Sequence, residues 1–354
     1  MRVVFLGSGE FGLPTARAIA REHQLLAIVS QPDKPAGRGG QLTPTPISAW
    51  AASEHPGVPC IKPADVNAPE IVAQVRAFKP DAFVVIAFGQ KLGGPLLADI
   101  PAINLHASRL PRWRGAAPIN WAILAGDSHT GNSVITLAQR MDAGLILAQS
   151  ERRIDPVLTT GELHDLLSAD GPELVLRVLA ELARDPVAAL SRGAAQDPAL
   201  VTHARKLSKD DAWIDLNASA EDCRRRVHGL NPWPGVSVTF RGEPLKVLRV
   251  GVHDSPAGGA PPGDGASNRV GDRDPNAVVA RSNGAEPGVI FDADLGLVAC
   301  ARGVLQLRDV QAPGKRAMAW GDFSRGLRVR SGEILTGAPP RVTPPTAPPR
   351  ENPA

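Results

Sequence analysis

Two polar residues on one short predicted strand, Asn104 and His106, are the first candidates for chemistry in this sequence of 354 residues. Side chains two residues apart on a strand point to the same face, so the amide and the imidazole would meet at one place. Such a pair suits attack on a carbonyl group. The asparagine can donate a hydrogen bond to the developing oxyanion, while the histidine transfers a proton or, as imidazolium, adds positive charge. A purely structural hydrogen-bonded pair is the alternative.

Asp142 supplies a third group. It lies on a glycine-containing turn after the predicted strand 133–137. A carboxylate near His106 would orient the imidazole and favour its protonated form. Capping of a turn or helix is the alternative role for this aspartate.

A glycine-rich turn, residues 7–12 (GSGEFG), follows the first predicted strand and precedes the first predicted helix. This pattern is typical of dinucleotide-binding folds, in which an acidic residue about 20 positions later binds the ribose. Asp33 has that spacing, but it lies between Pro32 and Lys34 instead of at a strand end. A nucleotide-dependent oxidoreductase that uses GSGEFG is therefore an alternative of a different class. In the competing interpretation, the glycines only allow a tight turn and leave the N-terminus of the following helix free to contact some ligand.

Apolar strands alternate with amphipathic helices through the N-terminal part of the chain. The sequence predicts strands over 2–6, 25–30, 81–88, 102–106 and 133–137, and helices over 13–22, 71–78 and 163–182, the last interrupted at Gly171-Pro172. Strands without in/out alternation, interleaved with helices, indicate a parallel sheet covered on both faces. We therefore predict an α/β catalytic domain over residues 1–195, with a Rossmann-like, doubly wound, mostly parallel sheet.

The remainder of the chain has a different character. Residues 196–209 are polar and basic and predict a linker, and the short β-type runs beyond it predict a small antiparallel OB-like β-barrel over 210–335. Residues 251–288 are rich in glycine and proline and predict a flexible insert. The proline-rich residues 336–354 predict a disordered tail. Residues 31–40 also predict an irregular, mobile loop.

Charge and cysteine usage narrow the class of protein. The net charge of +3 divides at residue 204 into −1 before and +4 after, which is compatible with a polyanionic partner. Three scattered cysteines without metal-ligand spacing predict a reduced, cytoplasmic protein without a metal. Because the apolar runs are short, we expect neither a membrane protein nor a secreted one.

The segment from Asn104 to Pro118 (NLHASRLPRWRGAAP), together with Asp142 and Gly144, resembles the signature of the folate-dependent formyltransferases. Three further stretches make it similar to the members that act on charged tRNA. They are QPDKPAGRG at 31–39, KLSK at 206–209 and NPWPG at 231–235. The resemblance covers about residues 1–335. Ala107 and Arg109 depart from it, because the family commonly has Gly and Leu there.

The resemblance implies transfer of a formyl group from 10-formyltetrahydrofolate, a co-substrate, to the α-amine of initiator methionyl-tRNA, by a monomer that needs no metal. It implies catalytic roles for Asn104, His106 and Asp142. The residues that it implies for folate binding are Phe88, Gly89, Ser108, Arg109, Leu110 and Pro111, and those for tRNA binding are Lys34, Arg38, Lys206 and Lys209. The nearer alternative is a formyltransferase acting on an amino-sugar nucleotide or glycinamide ribonucleotide, which should lack the 31–39 loop and NPWPG.

Overall fold

The structure, a computed structural model, describes residues 1–36, 40–253, 278, 282 and 284–337. The chain divides into two compact units, Met1–Lys206 and Leu207–Ala354. Among the described residues, the helices are all too short or too polar to cross a membrane.

The first unit is built on a seven-stranded sheet with several short ribbons beside it. Its strands are β1 (Arg2–Gly7), β2 (Gln24–Val29), β3 (Lys34–Ala36), β4 (Gln41–Thr43), β5 (Cys60–Ile61), β6 (Ala82–Ile86), β7 (Ala102–His106), β8 (Arg114–Gly115), β9 (His129–Thr130), β10 (Ser133–Thr136), β11 (Ile146–Gln149), β12 (Arg152–Arg153) and β13 (His203–Ala204). The main sheet has the order β11-β10-β7-β6-β1-β2-β5. Its five strands from β7 to β5 are parallel, and β10 and β11 extend it in antiparallel fashion. The predicted mostly parallel α/β sheet is confirmed.

Helices cover both faces of this sheet. They are α1 (Leu13–Glu22), α2 (Pro46–Glu54), α3 (Pro69–Ala77), α4 (Gly94–Leu97), α5 (Pro118–Ala125), α6 (Thr160–Arg184) and α7 (Pro186–Ser191), with 3-10 turns at Glu10–Gly12 and Pro198–Leu200. Val3 and Phe5 of β1 belong to a core that includes residues of α1, α2, α5 and α6, whereas Val4 and Leu6 belong to a core that includes residues of α3 and α4. Both faces of β1 are therefore buried, which is why its sequence lacks alternation.

Two local predictions in this unit are wrong. Residues 31–40 were expected to be irregular, but β3 and β4 form an antiparallel hairpin in which Pro35 faces Leu42. A proline is tolerated there because the two-stranded ribbon has open edges where its missing N–H is not needed. Residues 37–39 lie outside the described residues. The interruption expected at Pro172 is also absent, because α6 continues through it. A capping box of Thr159 and Glu162 starts this helix and its apolar face is buried.

The second unit is an antiparallel, curled half-barrel. Its strands are β14 (Val236–Phe240), β15 (Glu243–His253), β16 (Ile290–Asp292), β17 (Leu297–Ala299), β18 (Val304–Gln311), β19 (Met318–Ala319) and β20 (Leu335–Gly337), and its helices are α8 (Ala220–Gly229) and α9 (Trp320–Leu327), with a 3-10 turn at Lys209–Asp211. The order is β16-β17-β18-β15-β14-β20, with β19 beside β18. A bridge between Val289 and Ile334 links the two end strands. The antiparallel barrel-type fold predicted for this part is confirmed.

The predicted insert and tail fall mainly outside the described residues. Strand β15 runs to His253, so the first three residues of the predicted 251–288 insert are regular structure paired with β18. Likewise, β20 takes in residues 336 and 337 of the predicted 336–354 tail and pairs with β14. The pairing of residues 251–253 with residues 304–306 of β18, a contact between distant segments that no local pattern shows, explains the first difference.

Candidate active site

The carboxyl ends of β1, β2, β6 and β7 lie along one edge of the main sheet. The strand order reverses at β1, since β2 lies on one side of it and β6 on the other. In open α/β sheets, ligands bind in the crevice at such a reversal. Ser8 connects the turns there, because its Oγ donates to the Phe88 carbonyl at 3.2 Å and accepts from the backbone N–H of Gln31 at 3.0 Å. His106, the last residue of β7, ends at the same edge.

The glycine-rich turn after β1 serves close packing. A Cβ on Gly7 would lie 2.5 Å from the Phe5 ring and 2.8 Å from the Ile86 carbonyl oxygen. Asp33, the acidic residue of the apparent dinucleotide pattern, is not at the end of β2. Its carboxylate lies 2.7 Å from the ammonium group of Lys62. The geometry of this turn gives no support to a ribose-binding role for Asp33.

Asn104 and His106 lie on one face of β7, opposite Ile135 and Ser133 of β10. Leu105 between them points into the core. His106 is 7% exposed. The Asn104 side chain is half-buried and has no hydrogen-bond partner within the described part of the chain. Its amide is therefore available to a ligand, beside an imidazole that is held in place.

Both ring nitrogens of His106 face acceptors. Nε2 lies 2.8 Å from the Trp113 carbonyl oxygen, which can only accept, so Nε2 bears a proton. Nδ1 lies 3.7 Å from Oδ2 of Asp142, an ion-pair distance longer than a hydrogen bond. The structure thus brings His106 and Asp142 together.

Asp142 is held on a sharply constrained turn. Its φ is +54°, in the left-handed region. Its Oδ2 accepts a hydrogen bond from the Gly115 amide at 2.8 Å, and Gln196 Nε2 donates to the carbonyls of Asp142 and Gly144, both at 2.8 Å. A Cβ on Gly144 would overlap the Thr136 carbonyl oxygen, so only glycine fits there.

The loop after His106 carries four of the residues expected to bind folate, but two of these side chains point inward. Ser108 is fully buried and its Oγ donates to the Arg112 carbonyl at 2.7 Å, and Leu110 is 3% exposed. Arg109 is half-exposed and lies 2.5 Å from Glu151. Pro111 is half-buried. Ser108 and Leu110 can therefore meet a ligand only through their backbone.

The other two expected folate residues follow β6. Phe88 is 2% exposed and packs in the core, whereas Gly89 is exposed with φ of +86°. A Cβ on Gly89 would lie 3.8 Å from Nε2 of Gln31, a buried donor with no partner among the described residues. Gln31 is therefore a further candidate for contact with a ligand, and its place at the start of the QPDKPAGRG stretch was the signal for it in the sequence.

Trp113, which was not among the predicted site residues, has φ of +63° and is held by several contacts. Its indole N–H donates to Asp127 at 2.7 Å, and its amide donates to Thr202 Oγ1 at 2.9 Å. Asp127 also accepts two hydrogen bonds from Arg112, and this pairing raises the pKa of that arginine. Its position in the RWRG part of the signature was the only available signal.

The segment predicted as a linker contributes to the same loops. Besides Gln196 and Thr202, strand β13 (His203–Ala204) pairs in parallel with β8 (Arg114–Gly115), directly after Trp113. This part of the 196–209 stretch is therefore packed structure within the first unit. No local pattern in the sequence identified Gln196.

The lysines expected to bind tRNA are exposed. Lys34 on the β3–β4 hairpin, Lys206, and Lys209 in the second unit have no ion-pair partner among the described residues. Arg38 lies outside the described residues. By contrast, Arg224 and Arg225 of α8 are both paired with Glu221. The three lysines are therefore the unpaired cations of this set.

Comparison with known proteins gives a consistent result. The chain matches the formyl transferase family over residues 1–179 and the formyl transferase C-terminal domain over 206–328. It is 40% identical to the methionyl-tRNA formyltransferase of Methylococcus capsulatus, covering 91% of this chain and 96% of that protein. It is 37% identical to the methionyl-tRNA formyltransferase of Geotalea uraniireducens, covering 95% of this chain and 98% of that protein.

A solved structure with the same fold is HypX from Aquifex aeolicus in complex with tetrahydrofolic acid. It superposes with a TM-score of 0.54 at 13% sequence identity and covers 92% of this chain. The chain spans about half the length of HypX, 47% of it. This likeness concerns the fold alone.

Proposed function

The chain belongs to the formyl transferase family, among its methionyl-tRNA formyltransferases, and from this we propose that it transfers the formyl group of 10-formyltetrahydrofolate to the α-amine of initiator methionyl-tRNA, for translation initiation. The observation that carries the proposal is the arrangement at the end of β7. A free Asn104 amide lies on the same face as His106, whose two nitrogens face the Trp113 carbonyl and the Asp142 carboxylate.

The co-substrate supplies a formyl group on N10, an amide whose carbonyl carbon is the electrophile. The crevice can offer a hydrogen-bond donor to the folate, because the buried Gln31 Nε2 beside Gly89 lacks a partner among the described residues. We assign its binding to Phe88 and Gly89 and to the loop of Ser108, Arg109, Leu110 and Pro111. Given the burial of Phe88, Ser108 and Leu110, these three act by shaping the backbone.

Asn104 donates its side-chain N–H to the formyl oxygen as negative charge develops during attack by the amine. One such donor is typically worth about 2.7–4 kcal/mol, or roughly 100- to 1,000-fold in rate. In His106, Nε2 is engaged by Trp113, so Nδ1 is the atom that can reach the oxyanion as a donor. Asp142 balances the imidazolium charge.

Collapse of the tetrahedral intermediate breaks the bond from carbon to N10. One proton must leave the attacking amine and one must reach N10, so the net change is a proton transfer between two nitrogens. Asp142 and His106 lie side by side, and together they can hold that proton between the two sites.

For the tRNA, we assign phosphate contacts to Lys34 on the β3–β4 hairpin, to Arg38, and to Lys206 and Lys209. Cations that neutralise phosphates release counterions, so affinity should fall as salt rises. The whole chain has only 8 Phe, 6 Trp and no Tyr, which disfavours an extended base-stacking platform and favours backbone electrostatics. We further propose that the protein acts as a cytoplasmic monomer. Light scattering would test the oligomeric state.

The deciding experiment is a formyl-transfer assay with initiator and elongator methionyl-tRNA side by side, and with an amino-sugar nucleotide as competing acceptor. We expect transfer to initiator methionyl-tRNA, which is lost in His106→Asn. Transfer to the sugar nucleotide but not to the tRNA would make the proposal wrong. Titration with NADPH and with a folate, followed by fluorescence, should give binding of the folate only.

A further inference from the structure

We propose that Gln196 is a positioning residue for formyl transfer, which fixes the turn that presents Asp142 to His106. The proposal rests on the function proposed above. Gln196 does not approach the reacting atoms. It lies in the stretch that the sequence predicts as a linker, 54 residues away from Asp142 in the chain.

Both ends of the Gln196 amide are used, so its orientation is determined. Nε2 donates to the carbonyls of Asp142 and Gly144, each at 2.8 Å. Oε1 accepts from Nε and Nη2 of Arg114, at 2.9 and 2.8 Å. Carbonyl oxygens only accept and a guanidinium only donates, so the reversed amide would oppose like groups at both ends.

These contacts form a closed ring around Asp142. Arg114 donates from its side chain to Gln196, and Gln196 donates to the Asp142 carbonyl. The Asp142 carboxylate accepts from the backbone amide of Gly115, the residue after Arg114, which closes the ring. The ring fixes the main chain and the side chain of Asp142 at the same time. Without it, nothing in the described chain holds the carbonyls of Asp142 and Gly144 from this side.

The turn needs such a brace because its conformation is unfavourable. Asp142 has φ of +54°, in the left-handed region, which residues with a side chain adopt less readily than glycine. Its carboxylate is already 3.7 Å from Nδ1 of His106. A relaxation of the turn by about 1 Å would separate the two groups, and a shift of that size can cost about 100-fold in rate.

Two variants test the role of Gln196, and the first of them isolates its donor function. Gln196→Glu keeps the size and the acceptor for Arg114, but it turns an acceptor toward two carbonyl oxygens. Gln196→Ala removes both sets of contacts. We expect kcat for methionyl-tRNA formylation to fall roughly 10- to 100-fold in both, with KM for each substrate within about twofold of wild type.

The matched control is Asn67→Asp. Asn67 is another amide that donates to a backbone carbonyl, that of Lys91 at 2.9 Å, and accepts from the Gly93 amide. The same amide-to-acid change there should leave kcat unchanged within about twofold. An equal loss of kcat in Asn67→Asp would overturn the specific role of Gln196.

A double-mutant cycle separates positioning from general stability. If Gln196 acts through Asp142, then Gln196→Ala should cost less than about twofold in an Asp142→Asn background, because the group it positions is gone. A loss of kcat as large in that background as in wild type would assign Gln196 a purely structural role and overturn the proposal.

A readout independent of activity is hydrogen exchange at the Gly115 amide, which donates to Asp142 Oδ2. We expect faster exchange at this amide in both Gln196 variants, with unchanged protection in β6. Unchanged exchange at Gly115 would overturn the proposal even if kcat fell. A wild-type protein without methionyl-tRNA formylation would instead overturn the proposed function, and the exchange result would still judge Gln196.

Discussion

The Trp113 carbonyl oxygen lies 2.8 Å from Nε2 of His106, so the backbone of one loop determines which imidazole nitrogen keeps its proton. Because Nε2 is committed to this bond, Nδ1 is the nitrogen left to face Asp142 and the substrate. The arrangement depends on the left-handed φ of Trp113, which the Asp127 and Thr202 contacts hold. The chemistry at His106 is therefore coupled to residues that touch neither substrate.

Asn104→Ala should lower kcat by roughly 100- to 1,000-fold, because it removes the donor aimed at the developing oxyanion. KM for 10-formyltetrahydrofolate should change by less than about threefold, since that donor acts mainly in the transition state. Steady-state kinetics with circular dichroism as a folding control checks this. A folded variant with kcat within a few-fold of wild type would falsify the assignment.

Asp127→Asn should reduce kcat by about 10-fold while leaving substrate KM values nearly unchanged. The substitution weakens the contacts to Arg112 and to the Trp113 indole, so the Trp113 carbonyl becomes less well fixed against His106. Imidazole ¹⁵N shifts should report a weaker hydrogen bond from Nε2 to the Trp113 carbonyl. Asp170→Asn is the matched control, because Asp170 binds Arg152 in the same two-pronged way without touching Trp113. If both variants lose activity equally, the Trp113 explanation is wrong.

Lys34→Ala and Lys206→Ala should each raise KM for methionyl-tRNA several-fold and leave KM for the formyl donor unchanged. A plot of log affinity against log salt concentration should also become less steep in each variant. Its slope should fall in magnitude by about 0.7–0.9 for each phosphate contact that is lost. Lys79→Ala serves as control, since Lys79 is exposed just before β6, at the amino-terminal edge of the sheet. An effect on both substrates alike, or a salt-independent affinity, would argue against phosphate contacts.

Glu221→Gln should destabilise the second unit at neutral pH and lose this effect in acid. Burial alone would raise the pKa of Glu221, but the hydrogen bonds and charges of Arg224 and Arg225 outweigh it, so folding lowers this pKa. A lowered pKa contributes stability above the unfolded-chain value of about 4.3, and this contribution is lost as pH falls through the folded value.

The ion pairs of Glu221 with Arg224 and Arg225 should together contribute about 1 kcal/mol to the free energy of unfolding, or roughly 2–4 °C to Tm. Calorimetry from pH 7 to pH 3 measures this difference in Tm between wild type and Glu221→Gln, referred to here as the gap. The gap should close below about pH 4.3. Glu243→Gln, an exposed carboxylate without an ion-pair partner in the described chain, should give no gap at any pH. A gap that is constant with pH would mean that Glu221 stabilises the unit through packing.

Local patterns in the sequence were sufficient for the elements that carry the chemistry. The helix Leu13–Glu22 and the strand Ala102–His106 have the predicted bounds, because their apolar spacing is set by the faces that they bury. The alternation that places Asn104 and His106 on one face follows from strand geometry alone. The α/β sheet and the antiparallel half-barrel follow from the same patterns.

Contacts between distant segments could not be read from these patterns. Gln196 and Thr202 reach loops 54 and 89 residues earlier, and a polar stretch poor in periodicity gives no sign of such partners. The inward orientation of Ser108 and Leu110 depends on how their loop packs over Ser133, which also required the tertiary structure. The hairpin of β3 and β4 was hidden because proline and glycine usually mark irregular chain.

The packing of β13 against β8 has a consequence for where the chain can be cut. A fragment ending at residue 195 would keep Asn104, His106 and Asp142, but it would lose Gln196, Thr202 and β13, the strand that pairs with β8 directly after Trp113. A fragment ending at residue 206 would retain them all. The residues that hold the site therefore extend past the last helix of the α/β sheet, and a domain exchange in this protein should join after β13.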